Sequence, residues 1–149
     1  MPTLTIDPRF CGPKTSGNGG YSAGVVANHV DGPARVMLRH PPPLGVPIDV
    51  RPADDGVDAV LDDRILASAR PGRVVIDRPP LPDAAAVRAA RVRYEARADE
   101  HLLPHCFVCG VGRSEGDGLR IFAGPVEDSP LHADTWTPGD DLAAADGLV

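Results

Sequence analysis

A glycine-rich stretch directly ahead of a run of small apolar residues constrains the fold of this chain more than any other feature. Residues 15–27 read TSGNGGYSAGVVA. The small and apolar residues from about 20 to 30 predict a helix surrounded by protein, and Asp31-Gly32-Pro33 predicts its end. The first N–H groups of a helix have no helical partner and lie at the positive end of its dipole. We therefore expect this helix start to hold a carbonyl oxygen, a thioester or a phosphate group.

Alternating apolar and polar residues predict short strands before and after this helix. The clearest alternation is ARVMLR, at residues 34–39, which is typical of a half-buried strand. Residues 62–64 predict the turn of a hairpin between two of the strands. The predicted strands cover residues 4–10, 34–39, 48–50, 57–61, 65–69 and 73–77.

The second half of the chain has weaker signals. Asp83 is a suitable N-cap for a helix over residues 84–98, which we interpret as a solvent-exposed connecting helix, with a partner-binding helix as the alternative. Alternation over residues 118–123 predicts a new strand, with residues 131–136 as its neighbour. The tail, residues 138–149, is acidic and predicts no clear element.

Charge and hydropathy exclude several classes of partner. The 149 residues carry a net charge of −6 with a pI near 5.2, which argues against a nucleic-acid or acidic-membrane surface. No apolar run approaches the ~18 residues of a membrane span, and no basic region precedes an apolar one at the N-terminus. We expect a cytoplasmic protein whose three cysteines stay reduced.

These segments resemble a known family. The order of strand, glycine-rich turn, helix and antiparallel strands that include RHPPPLGVPIDV resembles the hotdog fold of acyl-thioester enzymes. SGNGGYSAG resembles the N-terminal helix segment of actinobacterial thioesterase-like hotdog proteins, and CFVCG followed by GLRIF is similar to the opening strand motif of small thioesterases. The resemblance implies an α+β chain in which an antiparallel sheet wraps around a central helix, followed by the start of a second hotdog unit.

The same resemblance implies a division of the chain into three parts. These are an N-terminal hotdog unit at residues 1–78, a linker helix region at residues 79–104, and the beginning of a second, incomplete hotdog unit at residues 105–149. The spacer VGRSEGD, between CFVCG and GLRIF, departs from the family pattern, because it is longer and lacks the usual Asn-Pro pair. The second unit also stops where its own central helix is expected, so we expect either a fragment or a unit completed by another chain.

The resemblance further implies a thioesterase-like protein that binds acyl-CoA or acyl-carrier thioesters and hydrolyses them without a cofactor. In this family N–H groups at the start of the central helix polarise the thioester carbonyl, and such fixed dipoles are worth about 3 kcal/mol per donor. The implied substrate-binding residues are Gly17 and Ser22. The implied catalytic donors are the N–H groups of Gly19, Gly20 and Tyr21, together with the side chain of Asn18.

The general base is not identified by the sequence. Single-domain enzymes of the family commonly carry an acid in the central helix, whereas residues 17–30 contain neither Asp nor Glu. His29 lies near the helix end, about two turns from the N–H groups, where a surface or capping role is the simpler interpretation. The Asp and His motif of hotdog hydratases is absent, which disfavours hydration of enoyl-CoA.

A second group of residues around a Cys-x-x-Cys sequence leaves other interpretations open. His101, His105, Cys106 and Cys109 have the ligand types of a tetrahedral zinc site, although we expect no metal here. A redox dithiol and a pair of buried structural cysteines are the alternatives. Three functions therefore remain: a thioesterase-like protein, a non-catalytic acyl-binding or assembly module, and a small zinc or redox module. We expect a homo-oligomer, with no nucleic-acid or membrane partner.

Overall fold

The N-terminal half of the chain folds as one strand, one helix and four further strands. The computed structural model describes residues 1–139 and Leu142, and it divides the chain into two units between Asp77 and Arg78. In the first unit the elements are β1 Thr3–Leu4, α1 Gly19–Ala27, β2 Ala34–Leu38, β3 Ile48–Ala53, β4 Gly56–Leu61 and β5 Arg64–Pro71. All strand pairs are antiparallel, and the order across the sheet is β1-β3-β4-β5-β2.

The core of this unit lies between the sheet and α1, which packs against β2 and β5. Ile6, Ile48 and Val50 are each only 1% exposed, and α1 contributes Val26 to the same core. Burying each large aliphatic side chain contributes about 1.5–3 kcal/mol. The remaining buried members of the cluster are Leu4, Ala59, Leu66, Ala67 and Ala69.

Local sequence signals predicted the central helix and the hairpin correctly. Helix α1 is confirmed, although it ends at Ala27 with Asn28 as its C-cap rather than near residue 30. The hairpin between β4 and β5 is also confirmed. Its two turn residues, Asp62 and Asp63, have φ values of 47° and 61°, as a two-residue turn with both residues left-handed requires.

Two strand predictions in this unit differ from the structure. The first strand covers only Thr3–Leu4, because residues Pro8–Phe10 form a 3-10 turn in which Asp7 accepts a hydrogen bond from the Arg9 N–H at 2.8 Å. The predicted strand at residues 73–77 is wrong, since these residues join no strand. The β2–β5 ladder stops where the Gly72 N–H donates to the Pro33 carbonyl at 2.8 Å. The segment therefore runs past the end of its neighbouring strand.

The second unit consists of helix α2 Ala84–Glu95, a 3-10 turn Ala98–Glu100, and a two-stranded ribbon of β6 Gly124–Pro125 and β7 His132–Ala133. Asp83 caps α2 as predicted, and its carboxylate accepts from the Ala86 N–H at 2.8 Å. The ribbon packs on α2 at Ala90, which is fully buried. A Cβ on Gly124 would lie inside the Ala90 carbonyl group, so only glycine allows this approach. Most of α2 is exposed or half-buried, as expected, but one side of it packs against the ribbon of its own unit.

The strand predicted at residues 118–123 is also wrong. Gly118 and Arg120 have left-handed φ values of 80° and 52°, which interrupt an extended chain. The strand predicted at residues 131–136 shortens to His132–Ala133. The described residues thus do not form the opening strand that a second hotdog unit would need, and most of the predicted tail, residues 140–141 and 143–149, lies outside them. Within the described part of the chain, neither helix has the length and apolar character needed to cross a membrane.

Candidate functional site

The start of α1 has two backbone donors without a partner. Asn18 is the N-cap in an extended conformation (φ −58°, ψ 134°), and its Oδ1 accepts from the Tyr21 N–H at 3.1 Å. The Ser22 N–H donates to the Asn18 carbonyl at 2.9 Å. The N–H groups of Gly19 and Gly20 make no hydrogen bond within the described part of the chain. Both glycines are exposed, so these two donors remain available to a ligand at the positive end of the helix dipole.

The loop that leads into α1 is fixed by hydrogen bonds to two other segments. The Gly17 N–H donates to the Pro42 carbonyl at 2.9 Å, and the Asn18 N–H donates to the Phe10 carbonyl at 2.8 Å. Gly17 also packs closely, because a Cβ there would lie 2.5 Å from Ser22 Oγ. The loop that precedes the two free donors of α1 is therefore held in place before any ligand binds.

A cavity of about 310 Å³ lies at the start of α1. Its wall includes Gly19, the last residue of β2 and the residues that directly follow β2. It adjoins a second cavity of about 460 Å³, with which it shares His40 and Pro41. The described residues that line the first cavity are Ser16, Gly17, Gly19, Leu38, Arg39, His40, Pro41 and Pro42.

The imidazole-bearing residue of this cavity, His40, was missed in the sequence. It directly follows β2, and the Arg39 and His40 N–H groups both donate to the Leu66 carbonyl, at 2.8 and 3.2 Å. Arg39 is held further by a hydrogen bond from its Nε to Ser68 Oγ at 3.3 Å. His40 lines the same cavity as Gly19, and its backbone is held there by the pairing of β2 with β5, which is a non-local contact. In the sequence, the one indication of a role for His40 is that it belongs to the RHPPP segment, which is part of the family resemblance.

The sequence-predicted residues fall into two groups. Gly17 and Gly19 line the cavity, and Gly20, the next residue of α1, has a free N–H. The Tyr21 N–H is already donated to Asn18 Oδ1, so the expectation that it polarises a ligand is corrected. Donation to a ligand by the Asn18 side-chain NH2 group stays a prediction.

The other polar residues predicted along α1 lie away from the cavity wall. Ser22 is 1% exposed and does not line the cavity, and its Oγ has no hydrogen-bond partner in the described part of the chain. His29 lies beyond the C-terminal end of α1 and is exposed. Of the residues proposed from the sequence, Gly17, Gly19 and Gly20 are thus the ones gathered at one place.

The Cys-x-x-Cys sequence forms a buried turn in the second unit. Cys106 is 3% exposed, Cys109 is half-buried, and the Tyr94 hydroxyl donates to the Cys109 carbonyl at 3.0 Å. Burial, followed by the neighbouring Cys106 thiol, raises the pKa of Cys109 to about 11. His101 Nδ1 accepts a hydrogen bond from the Leu103 N–H at 3.1 Å. Among the described residues no three His, Cys, Asp or Glu side chains are gathered as a metal site would require.

The raised pKa values in this turn predict a loss of stability at alkaline pH. Burial and the nearby Cys109 raise the pKa of Tyr94 to about 12, so two groups hold their protons more tightly in the folded chain than in the unfolded one. Because the unfolded chain releases these two protons at a lower pH than the folded chain, the stabilisation is complete below about pH 9 and falls as the pH rises towards 12. Urea unfolding followed by fluorescence of Trp136, the single tryptophan, should show this decline. Tyr94→Phe should reduce the slope, and a free energy that stays constant over this range would contradict the assignment.

Known proteins give no further guide to the site. No family model, curated protein or solved structure matches this chain. Function is therefore inferred from the two free N–H groups, the cavity beside them and the resemblance of the sequence. Two parallel donors at a helix start can polarise a carbonyl oxygen, and His40 in the same cavity can accept a proton from water.

Proposed function

We propose that the first unit is a hotdog unit that binds acyl thioesters of CoA or of an acyl carrier at the start of α1 and hydrolyses them. The strand order β1-β3-β4-β5-β2, with α1 inserted after the first strand, is compatible with the fold that the sequence resemblance implies. The observation that carries the proposal is the pair of unoccupied N–H groups of the consecutive residues Gly19 and Gly20, the first of which lines a cavity.

The reaction follows from the position of these groups. The thioester oxygen accepts hydrogen bonds from the Gly19 and Gly20 N–H groups, which stabilise the negative charge that develops on it. A water molecule attacks the carbonyl carbon while His40 takes its proton, so a C–O bond forms. The C–S bond then breaks, and the proton on His40 passes to the leaving sulfur. The products are a carboxylic acid and a free thiol.

A non-catalytic acyl-binding module is the second candidate. None of the described residues that line the cavity is Asp or Glu, whereas the enzymes that the sequence resembles commonly carry an acid beside the helix start. Such a module would use the same two donors to hold a thioester without activating water. A redox module finds less support, because a thiol with a pKa of about 11 stays protonated near neutral pH. A zinc module finds less support, because no three His, Cys, Asp or Glu side chains of the described residues are gathered as a metal site would require.

A thiol-release assay over a range of acyl-CoA chain lengths, paired with binding of a ketone analogue that cannot be hydrolysed, separates these functions. We expect both release and binding, and we expect His40→Asn to lower kcat by about 100-fold while analogue affinity changes little. His29→Asn is the matched control and should leave both unchanged, since His29 lies outside the cavity. Binding without release would favour the non-catalytic module, and the lack of both would contradict the proposal.

A further inference from the structure

Residues 73–77, with the sequence RVVID, form an exposed apolar segment whose backbone is unpaired. Val74, Val75 and Ile76 are 74%, 84% and 80% exposed. No hydrogen bond to another described residue involves this segment. β-branched residues favour strands, and an extended segment with open N–H and C=O groups is a template for pairing with another chain.

The sequence of this segment is complementary to itself when two copies run antiparallel. If Val75 lies opposite Val75 of the partner subunit, each Arg73 lies opposite the partner's Asp77. Val74 and Ile76 then face each other across the pair on the opposite side. Arg73 and Asp77 form no ion pair with another described residue, so both charges are available for this pairing. Opposite charges and β-branched residues directly across an antiparallel pair are favourable.

We propose that residues 73–77 form an antiparallel strand pair with the same segment of a second copy of this chain. The two-fold relation closes the contact on itself, which produces a dimer rather than an open fibre. Only five residues per copy take part, so the interface is small and the dimer is expected to be weak, with a dissociation constant on the order of hundreds of micromolar. This inference is independent of the thioester chemistry.

Charge reversal tests the register directly. In Arg73→Glu, and likewise in Asp77→Arg, both ends of the strand pair place like charges opposite each other, which should raise the dimer dissociation constant by roughly tenfold. The double variant Arg73→Glu/Asp77→Arg restores opposite charges at both ends. Sedimentation equilibrium over a range of concentrations should therefore show weaker dimers for each single variant and recovery for the double variant. Single variants that dimerise like the parent, or a double variant that fails to recover, would overturn the proposed register.

A substitution at the centre of the pair tests the apolar contact. Val75→Lys places two ammonium groups together at the two-fold axis and should leave the protein monomeric, with an unchanged far-UV circular dichroism spectrum. Val92→Lys is the matched control, because Val92 is 62% exposed on α2 and lies outside the segment. A parent protein that is monomeric up to about 1 mM would refute the dimer, and so would an equal loss of dimer in the Val92→Lys control.

Discussion

Gly19→Pro is expected to lower kcat/KM for acyl-CoA hydrolysis by about 100-fold, because it removes one of the two free donors at the start of α1. Proline is compatible with the backbone here. Gly19 is the first residue of α1, where proline is favoured, and Asn18 already has the extended ψ of 134° that a residue before proline prefers. The loss should therefore come from the missing N–H rather than from a broken helix. The decrease can be measured from the rate of thiol release in single-turnover experiments.

Gly19→Ala is the matched control, because it adds a side chain and keeps the N–H. A Cβ at this position would lie 3.5 Å from Leu38 Cδ1, which is an ordinary contact. We expect its kcat/KM to stay within about threefold of the parent value. Equal losses in the alanine and proline variants would assign the effect to steric blocking of the cavity instead of to the donor.

Asp134→Ala is expected to destabilise the second unit by about 3 kcal/mol. The Asp134 side chain is 1% exposed and accepts hydrogen bonds from Arg91 Nη1 at 3.1 Å to each oxygen. It also accepts from the Phe122 N–H at 2.5 Å. Its removal leaves the buried Phe122 N–H without this acceptor and takes one of two carboxylate partners from Arg91, which keeps Glu95 at 3.0 Å. The change in free energy of unfolding can be measured from urea titrations that follow Trp136 fluorescence.

A second ion pair from the same helix serves as the control. Arg93 of α2 pairs with Glu127 at 2.6 Å, but Glu127 is 76% exposed. Glu127→Ala should therefore cost less than about 1 kcal/mol, since exposed pairs gain little over solvation by water. A loss of similar size in the two variants would show that Asp134 has no special role in holding α2 against the segments it contacts.

Elements with a complete local signal were predictable from the sequence. Asn18 followed by two glycines marks the start of α1, and the Asp62-Asp63 turn marks the hairpin. Residues 73–77 have strand composition, but a strand also needs a neighbour, and the ladder ends at Pro33, which has no N–H. The left-handed conformation of Arg120 has no signature in an arginine side chain.

In the candidate site, too, the features that depend on local sequence could be predicted and those that depend on distant contacts could not. The free donors of Gly19 and Gly20 follow from the rule that a helix start leaves its first N–H groups unpaired. The same capping rules indicate that an Asn N-cap accepts from the third helical residue, which excludes the Tyr21 N–H as a donor to ligand. His40 could not be found this way, because its place in the cavity depends on the pairing of β2 with β5.

The central claim is that a thioester carbonyl is held by the N–H groups at the start of α1. Isotope-edited infrared spectroscopy of a ¹³C=O ketone analogue of acyl-CoA tests it most directly, because hydrogen bonds to the oxygen weaken the C=O bond. We predict a carbonyl band at lower wavenumber in complexes with the parent protein and Gly19→Ala, and a smaller shift in Gly19→Pro. A carbonyl band at the same wavenumber for the free analogue and for the analogue bound to the parent protein would contradict the account.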